Sequence, residues 1–213
     1  MRVIIRHFYN ISAFIGGICV IFAVVFWQEL SLLQRLALLN FAVINFHFFE
    51  EFGFPGGFPA FANTMFACKH SPAPDRYPLN QLSACLTNWG TAIVLYFPPI
   101  FFPDVIWFGL APILFGGVAQ LIMHGLYNNL LLKRCYNAGL ISTLFGHFPI
   151  AIVYINYIVM NDMATIWDWI IGIAIMVIWY VVIVRGIFLK GFGDINSPYP
   201  FEKVEMERFK RSK

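Results

Sequence analysis

Six long apolar stretches constrain this chain more than any other feature. Each is long enough to cross the hydrocarbon core of a bilayer, which takes about 20 helical residues: Phe8–Trp27, Ser31–Phe49, Gln81–Phe102, Val105–Tyr127, Tyr136–Met160 and Thr165–Leu189. Of the 213 residues, 60% are hydrophobic and 12% charged, and the mean hydropathy of +0.72 lies far from a soluble composition. The expectation is an all-α, polytopic membrane bundle of six transmembrane helices. Residues 1–189 form one membrane domain and 190–213 a basic cytoplasmic tail. The first stretch is long for a signal-peptide core and lacks a small-residue cleavage site, so it reads as a retained span.

Basic residues fall on one side of this arrangement. The short connectors Gln28 to Leu30, Pro103 to Asp104 and Asn161 to Ala164 contain no Lys or Arg. Arg2, Arg6, Lys69, Arg76, Lys133, Arg134, Arg185, Lys190 and the tail lie toward the other side, which places both termini in the cytoplasm. Arg35, at the start of the second span, departs from the pattern and is expected to snorkel toward the headgroups. The four cysteines form no CxxC pair, so a disulfide framework is not indicated. No glycine-rich phosphate loop is present, and the basic residues are too few and too close to the membrane for a nucleic-acid groove. The lipid bilayer is the expected surrounding.

Between the second and third spans runs FGFPGGFPAFANTMF, too apolar and too rich in Pro and Gly for a solvated linker. It is expected to form a short re-entrant or interfacial segment packed over the functional site. The closing FEKVEMERFKRSK reads as a short charged helix, near anionic lipid or solvated.

The chemistry concentrates where the second span ends. His47, Glu50 and Glu51 stand at i, i+3 and i+4, on one side of a helical turn, at a depth where ionisable groups are costly and usually functional. The fourth span carries Gln120, His124 and Asn128 on one stripe, and Asn88 and His147 enter from the third and fifth spans at a similar depth. Imidazoles and carboxylates in this number suit one divalent metal such as zinc, with His47, Glu51 and His124 as ligands and His147 as an alternate. Glu50 is the candidate general base and acid. Asn88 and Asn128 would orient ligands or stabilise a developing oxyanion. The corresponding function is metal-assisted hydrolysis of a lipid or membrane-buried substrate at a cytoplasm-facing site. The same residues also allow a proton- or cation-coupled transporter, a haem-binding electron carrier with His124 and His147 as axial ligands, or a scaffold whose polar groups lock helices together.

HFFEE at His47 to Glu51, PGGFP at Pro55 to Pro59 with Asn63, the spacing His124 to Asn128, and YNAGL at Tyr136 to Leu140 together resemble the HXXEE-domain family of integral membrane proteins, over about residues 41–155. Ala138 stands where the family's segment carries proline. The resemblance implies that His47, Glu50, Glu51, His124 and Asn128 form a functional set, and implies no particular reaction. Paired glutamates and H-x-x-x-N are also similar to the intramembrane CAAX-type proteases, but Pro55 stands where their motif requires arginine.

Overall fold

The computed structural model describes residues 2–211. Helices α1 (Arg2–Val25), α2 (Leu32–Gly53), α5 (Ile106–Leu132), α6 (Leu140–Met160) and α7 (Ile166–Gly191) are long and apolar enough to cross a membrane. Between them lie the short α3 (58–66) and α4 (81–96), and α8 (Lys203–Arg211) closes the described chain. No strand occurs among the described residues.

The six-span expectation meets a difference at α4. Its apolar run ends in Phe97-Pro98-Pro99, where proline removes backbone donors, and the chain leaves α4 for a short tight turn at Pro98–Ile100. Sixteen helical residues remain, about 24 Å at 1.5 Å per residue, less than a full hydrocarbon crossing. Among the described residues, five helices, not six, therefore meet the length and composition for a span.

Local sequence sets the helix starts. Ser31 with Gln34, Asn80 with Ser83 and Thr165 with Asp168 each form a reciprocal capping box. Asp168 also accepts from the Trp107 backbone at 3.2 Å, tying the start of α7 to that of α5. Arg35 turns back to the Leu30 carbonyl at 2.9 Å and lies 4.6 Å above the Trp27 ring, so its charge is held at the α1–α2 turn.

The apolar interior divides along the bundle. Leu33, Leu36, Ile106, Leu110, Tyr154 and Ile158 fill one end. Phe41, Ile44, Phe48, Leu95, Tyr96 and Phe115 fill the middle. At the other end, the start of α1, the end of α2, the start of α4 and the tail share Phe8, Phe52, Leu79, Ala84 and Phe201. Many large apolar side chains of α1 and α7 are exposed, as a lipid-facing surface requires.

The tail packs back rather than standing apart. The Phe201 backbone donates to the Asp75 carbonyl at 2.7 Å, the Gln81 backbone to Tyr199 at 3.0 Å, and Arg208 to the Phe52 carbonyl at 2.6 Å. Arg6 pairs with Glu202. The helix forms as its composition suggests, and its apolar members draw it onto the bundle end. Gly56 and Gly57, with φ of 73° and 99°, make the turn into α3 and sit against Arg208 and Phe209.

Several helices contain wide turns with i→i+5 bonds, a geometry frequent at functional sites. These include Phe49–Gly53 in α2, Leu121–Tyr127 in α5 and Thr143–His147 in α6. Those segments carry Glu50, Glu51, His124 and His147.

Candidate metal centre

α2 brings His47 and Glu51 to the bundle interior, and α5 brings His124 against them. Glu51 Oε1 lies 3.6 Å from His47 Nε2 and 3.5 Å from His124 Nε2, with all three side chains buried. The ligand-capable atoms lie within 4.8 Å of one another. Ligand atoms around a tetrahedral ion with bonds of about 2.0–2.2 Å sit roughly 3.3–3.6 Å apart. These three residues can hold a metal ion.

The surrounding hydrogen bonds decide which ring nitrogens carry protons. Asn137 Nδ2 donates to the His124 carbonyl at 2.6 Å and to Asn129 Oδ1 at 2.7 Å, so its Oδ1 is the acceptor facing His124 Nδ1 at 2.7 Å. His124 therefore carries its proton on Nδ1. The Ser142 hydroxyl donates to Glu50 Oε2 at 2.5 Å and so accepts from His47 Nδ1 at 2.9 Å. Both imidazoles then turn an Nε2 lone pair toward a carboxylate oxygen. Three acceptors facing one another repel unless a metal ion or a proton stands among them, and His47 Nε2 has no hydrogen-bond partner among the described residues.

Glu50 points elsewhere. Its oxygens accept from the backbones of Ile141 at 3.0 Å and Ser142 at 2.9 Å, from the Ser142 hydroxyl, and from Tyr136 at 3.2 Å. It stands at the N-terminus of α6, where exposed N–H groups and the helix dipole favour an anion. Burial and this carboxylate raise the Tyr136 phenol above its ordinary range and keep it a donor. The chain Glu50–Ser142–His47 resembles the carboxylate-to-imidazole links that orient metal ligands.

His147 is also buried, its ring 6.0 Å from that of His47, but it is not a member of the three-residue group. Its Nδ1 faces Asn40 Oδ1 at 2.6 Å, and its Nε2, like the nearby Tyr96 hydroxyl, has no partner among the described residues. Gly116 makes room for it, since a Cβ there would come within 2.5 Å of His147 Nδ1. Gly139, with φ of 104°, leaves space for both ligand rings: a Cβ would lie 2.6 Å from His124 Nδ1 and 2.8 Å from His47 Cε1.

A cavity of about 120 Å³ adjoins the group, with His47, Glu51 and His124 on its wall. Asn88, Gln120 and Asn128 share that wall, whereas Glu50 and His147 do not. Ile44, Phe48 and Phe115 supply apolar wall from the bundle, and Phe58 and Phe66 supply it from α3.

Sequence spacing singled out His47, Glu51 and His124. It passed over Asn137, Gly139 and Ser142, which lie at the entry to α6 and reach the site only because that entry folds against α2 and α5. Asn137 and Gly139 belong to the YNAGL segment, the one sequence signal that marks this turn.

The chain belongs to the family described as proteins of unknown function with an HXXEE motif, whose family model matches residues 38–154. The matched region contains the whole His47–Glu51–His124 group and its supporting residues. No curated protein and no solved structure matches the chain.

Proposed function

We propose that this HXXEE-family chain is a membrane-embedded, metal-dependent hydrolase acting on a lipid or another membrane-buried substrate. The observation that carries this reading is the pair of imidazoles whose Nδ1 atoms are engaged and whose Nε2 atoms face Glu51 beside a largely apolar cavity. A divalent ion such as zinc, bound by His47, Glu51 and His124, would supply Lewis acidity and a nucleophilic water near neutral pH.

The chain's own residues divide the remaining work. Ser142 and Glu50 hold the His47 ring, and Asn137 holds that of His124. Glu50 is therefore a positioning residue rather than a base, because its oxygens are occupied at the start of α6 and it does not line the cavity. Asn88 and Asn128 lie on the wall where a substrate's polar group would enter, and Asn88 Nδ2, without a partner among the described residues, would donate to oxygen as charge develops there. The apolar wall excludes water and receives hydrocarbon. Lys and Arg distribution supports cytoplasmic termini and a site nearer the cytoplasmic face.

The test is untargeted lipid mass spectrometry on bilayer discs containing the metal-loaded protein, against Glu51→Gln in the same discs. Time-dependent loss of one lipid class with matching product, absent in the variant, supports the reading. Identical lipid profiles contradict it.

A second reading, a proton or cation relay, draws on His147 Nε2 and the Tyr96 hydroxyl, both buried without partners next to His47. It expects proton flux into liposomes that His147→Gln abolishes.

A further inference from the structure

The cavity wall shows what kind of polar group its ligand carries. Asn88 is 9% exposed and Asn128 2%, yet Asn88 Nδ2 and Asn128 Oδ1 have no hydrogen-bond partner among the described residues. Both line the cavity, and Gln120 stands on the same wall. Carboxamides left unpaired in an apolar interior are unfavourable unless a ligand or water completes them, and a ligand that does so displaces that water. As placed, they ask for one acceptor and one donor. An ester offers only acceptors, and so does a tertiary amide.

Charge narrows the class further. Apart from the metal-ligand group, the charged side chain on the wall is Arg185, which is exposed and lies 6.0 Å from the Tyr180 ring centroid. A phosphate or carboxylate seated between Asn88 and Asn128 would find, among the described residues, no cationic side chain on the buried part of the wall. An uncharged group bearing both C=O and N–H needs none.

We infer that the cavity recognises an acyl lipid joined through a secondary amide, its carbonyl accepting from Asn88, its N–H donating to Asn128, and its chain lying along Ile44, Phe48, Phe58 and Phe115. The fate of that lipid rests on the hydrolase reading above: water adds across the C–N bond, hydroxyl to the carbonyl carbon and proton to nitrogen, releasing a fatty acid and an amine. Recognition itself rests on the wall.

The experiment uses the full-length protein in bilayer discs and three probes built on one chain-end-fluorescent fatty acid: its N-propyl amide, its N-methyl-N-propyl amide and its propyl ester. The secondary amide binds about tenfold or more tighter than either of the others, the difference expected for one completed buried hydrogen bond. In Asn88→Leu/Asn128→Leu the three affinities converge. Equal binding of all three by the unmodified protein overturns the inference, as does a preference that survives in the double variant. A diazirine form of the secondary amide gives a measurement free of folding effects. It labels residues within 44–58, 84–91 or 115–128 of the unmodified protein, segments that line the cavity, and is displaced by the unlabelled amide but not by the ester; labelling confined to other segments overturns the inference. Metal-stripped protein that keeps the amide preference, with no turnover after reloading, supports recognition and removes only the hydrolase reading. Turnover of ester and amide alike, without preference in binding, overturns recognition and leaves the hydrolase.

Discussion

Asn137 fixes the tautomer of His124. With both amide protons given to the His124 carbonyl and to Asn129, its Oδ1 can only accept, and it stands 2.7 Å from His124 Nδ1. The ring is thereby turned so that Nε2 faces Glu51, 3.5 Å away. The metal-ready state of His124 is set by a residue in the connection between α5 and α6.

Asn137→Leu removes this acceptor, and metal affinity is expected to fall about 10–100-fold, the range for lost outer partners of ligands. Competition against a chromogenic chelator measures it, with gel filtration as the fold check. Unchanged affinity in a folded variant would show that Asn137 does not orient the ligand.

Glu50→Gln separates a positioning role from a base. The neutral amide keeps one acceptor oxygen at the α6 N-terminus but places an NH₂ against donors, so stability is expected to fall by about 1–3 kcal/mol. Metal affinity should weaken without being abolished, whereas Glu51→Gln loses the metal. Wild-type stability together with complete loss of turnover would restore Glu50 as the base.

Gly139→Ala puts a Cβ against both ligand rings at a φ of 104°. Overpacking and an unsuitable backbone together should cost about 2–4 kcal/mol, seen as a lower melting temperature, with metal binding lost alongside. A variant that melts and binds like wild type would mean the α6 entry does not sit where described.

Asn88→Leu and Asn128→Leu should behave in the opposite sense. Each removes a buried polar atom without a partner, so stability should stay level or rise, given that such an atom costs about 1–3 kcal/mol. A marked drop in melting temperature would reveal structural hydrogen bonds at these positions.

Much of this was legible in the chain. Apolar run lengths specified the spanning helices, and the spacing of His47 and Glu51 placed two ligands on one helix face. α4 is shorter than its hydrophobic run because Pro98 and Pro99 end the helix while remaining apolar, so hydropathy alone overran it. The stripe through Gln120, His124 and Asn128 assumed regular α-helical turns, whereas 121–127 is wound more widely. Ser142 and Asn137 were invisible to spacing, because their partners lie on other elements and only tertiary packing joins them. The tail's composition suggests a charged helix, near anionic lipid or solvated. Its Phe201 and Glu205 are buried, an outcome set by the complementary end of the bundle.

The central claim is that His47, Glu51 and His124 bind one divalent ion. Its most direct test is elemental analysis of detergent-purified protein after metal-supplemented expression, comparing wild type with Glu51→Ala and His124→Ala, with circular dichroism of each. The account predicts near-stoichiometric metal in wild type and background metal in both variants at unchanged helix content. Background metal in wild type, or equal metal in all three, would contradict it.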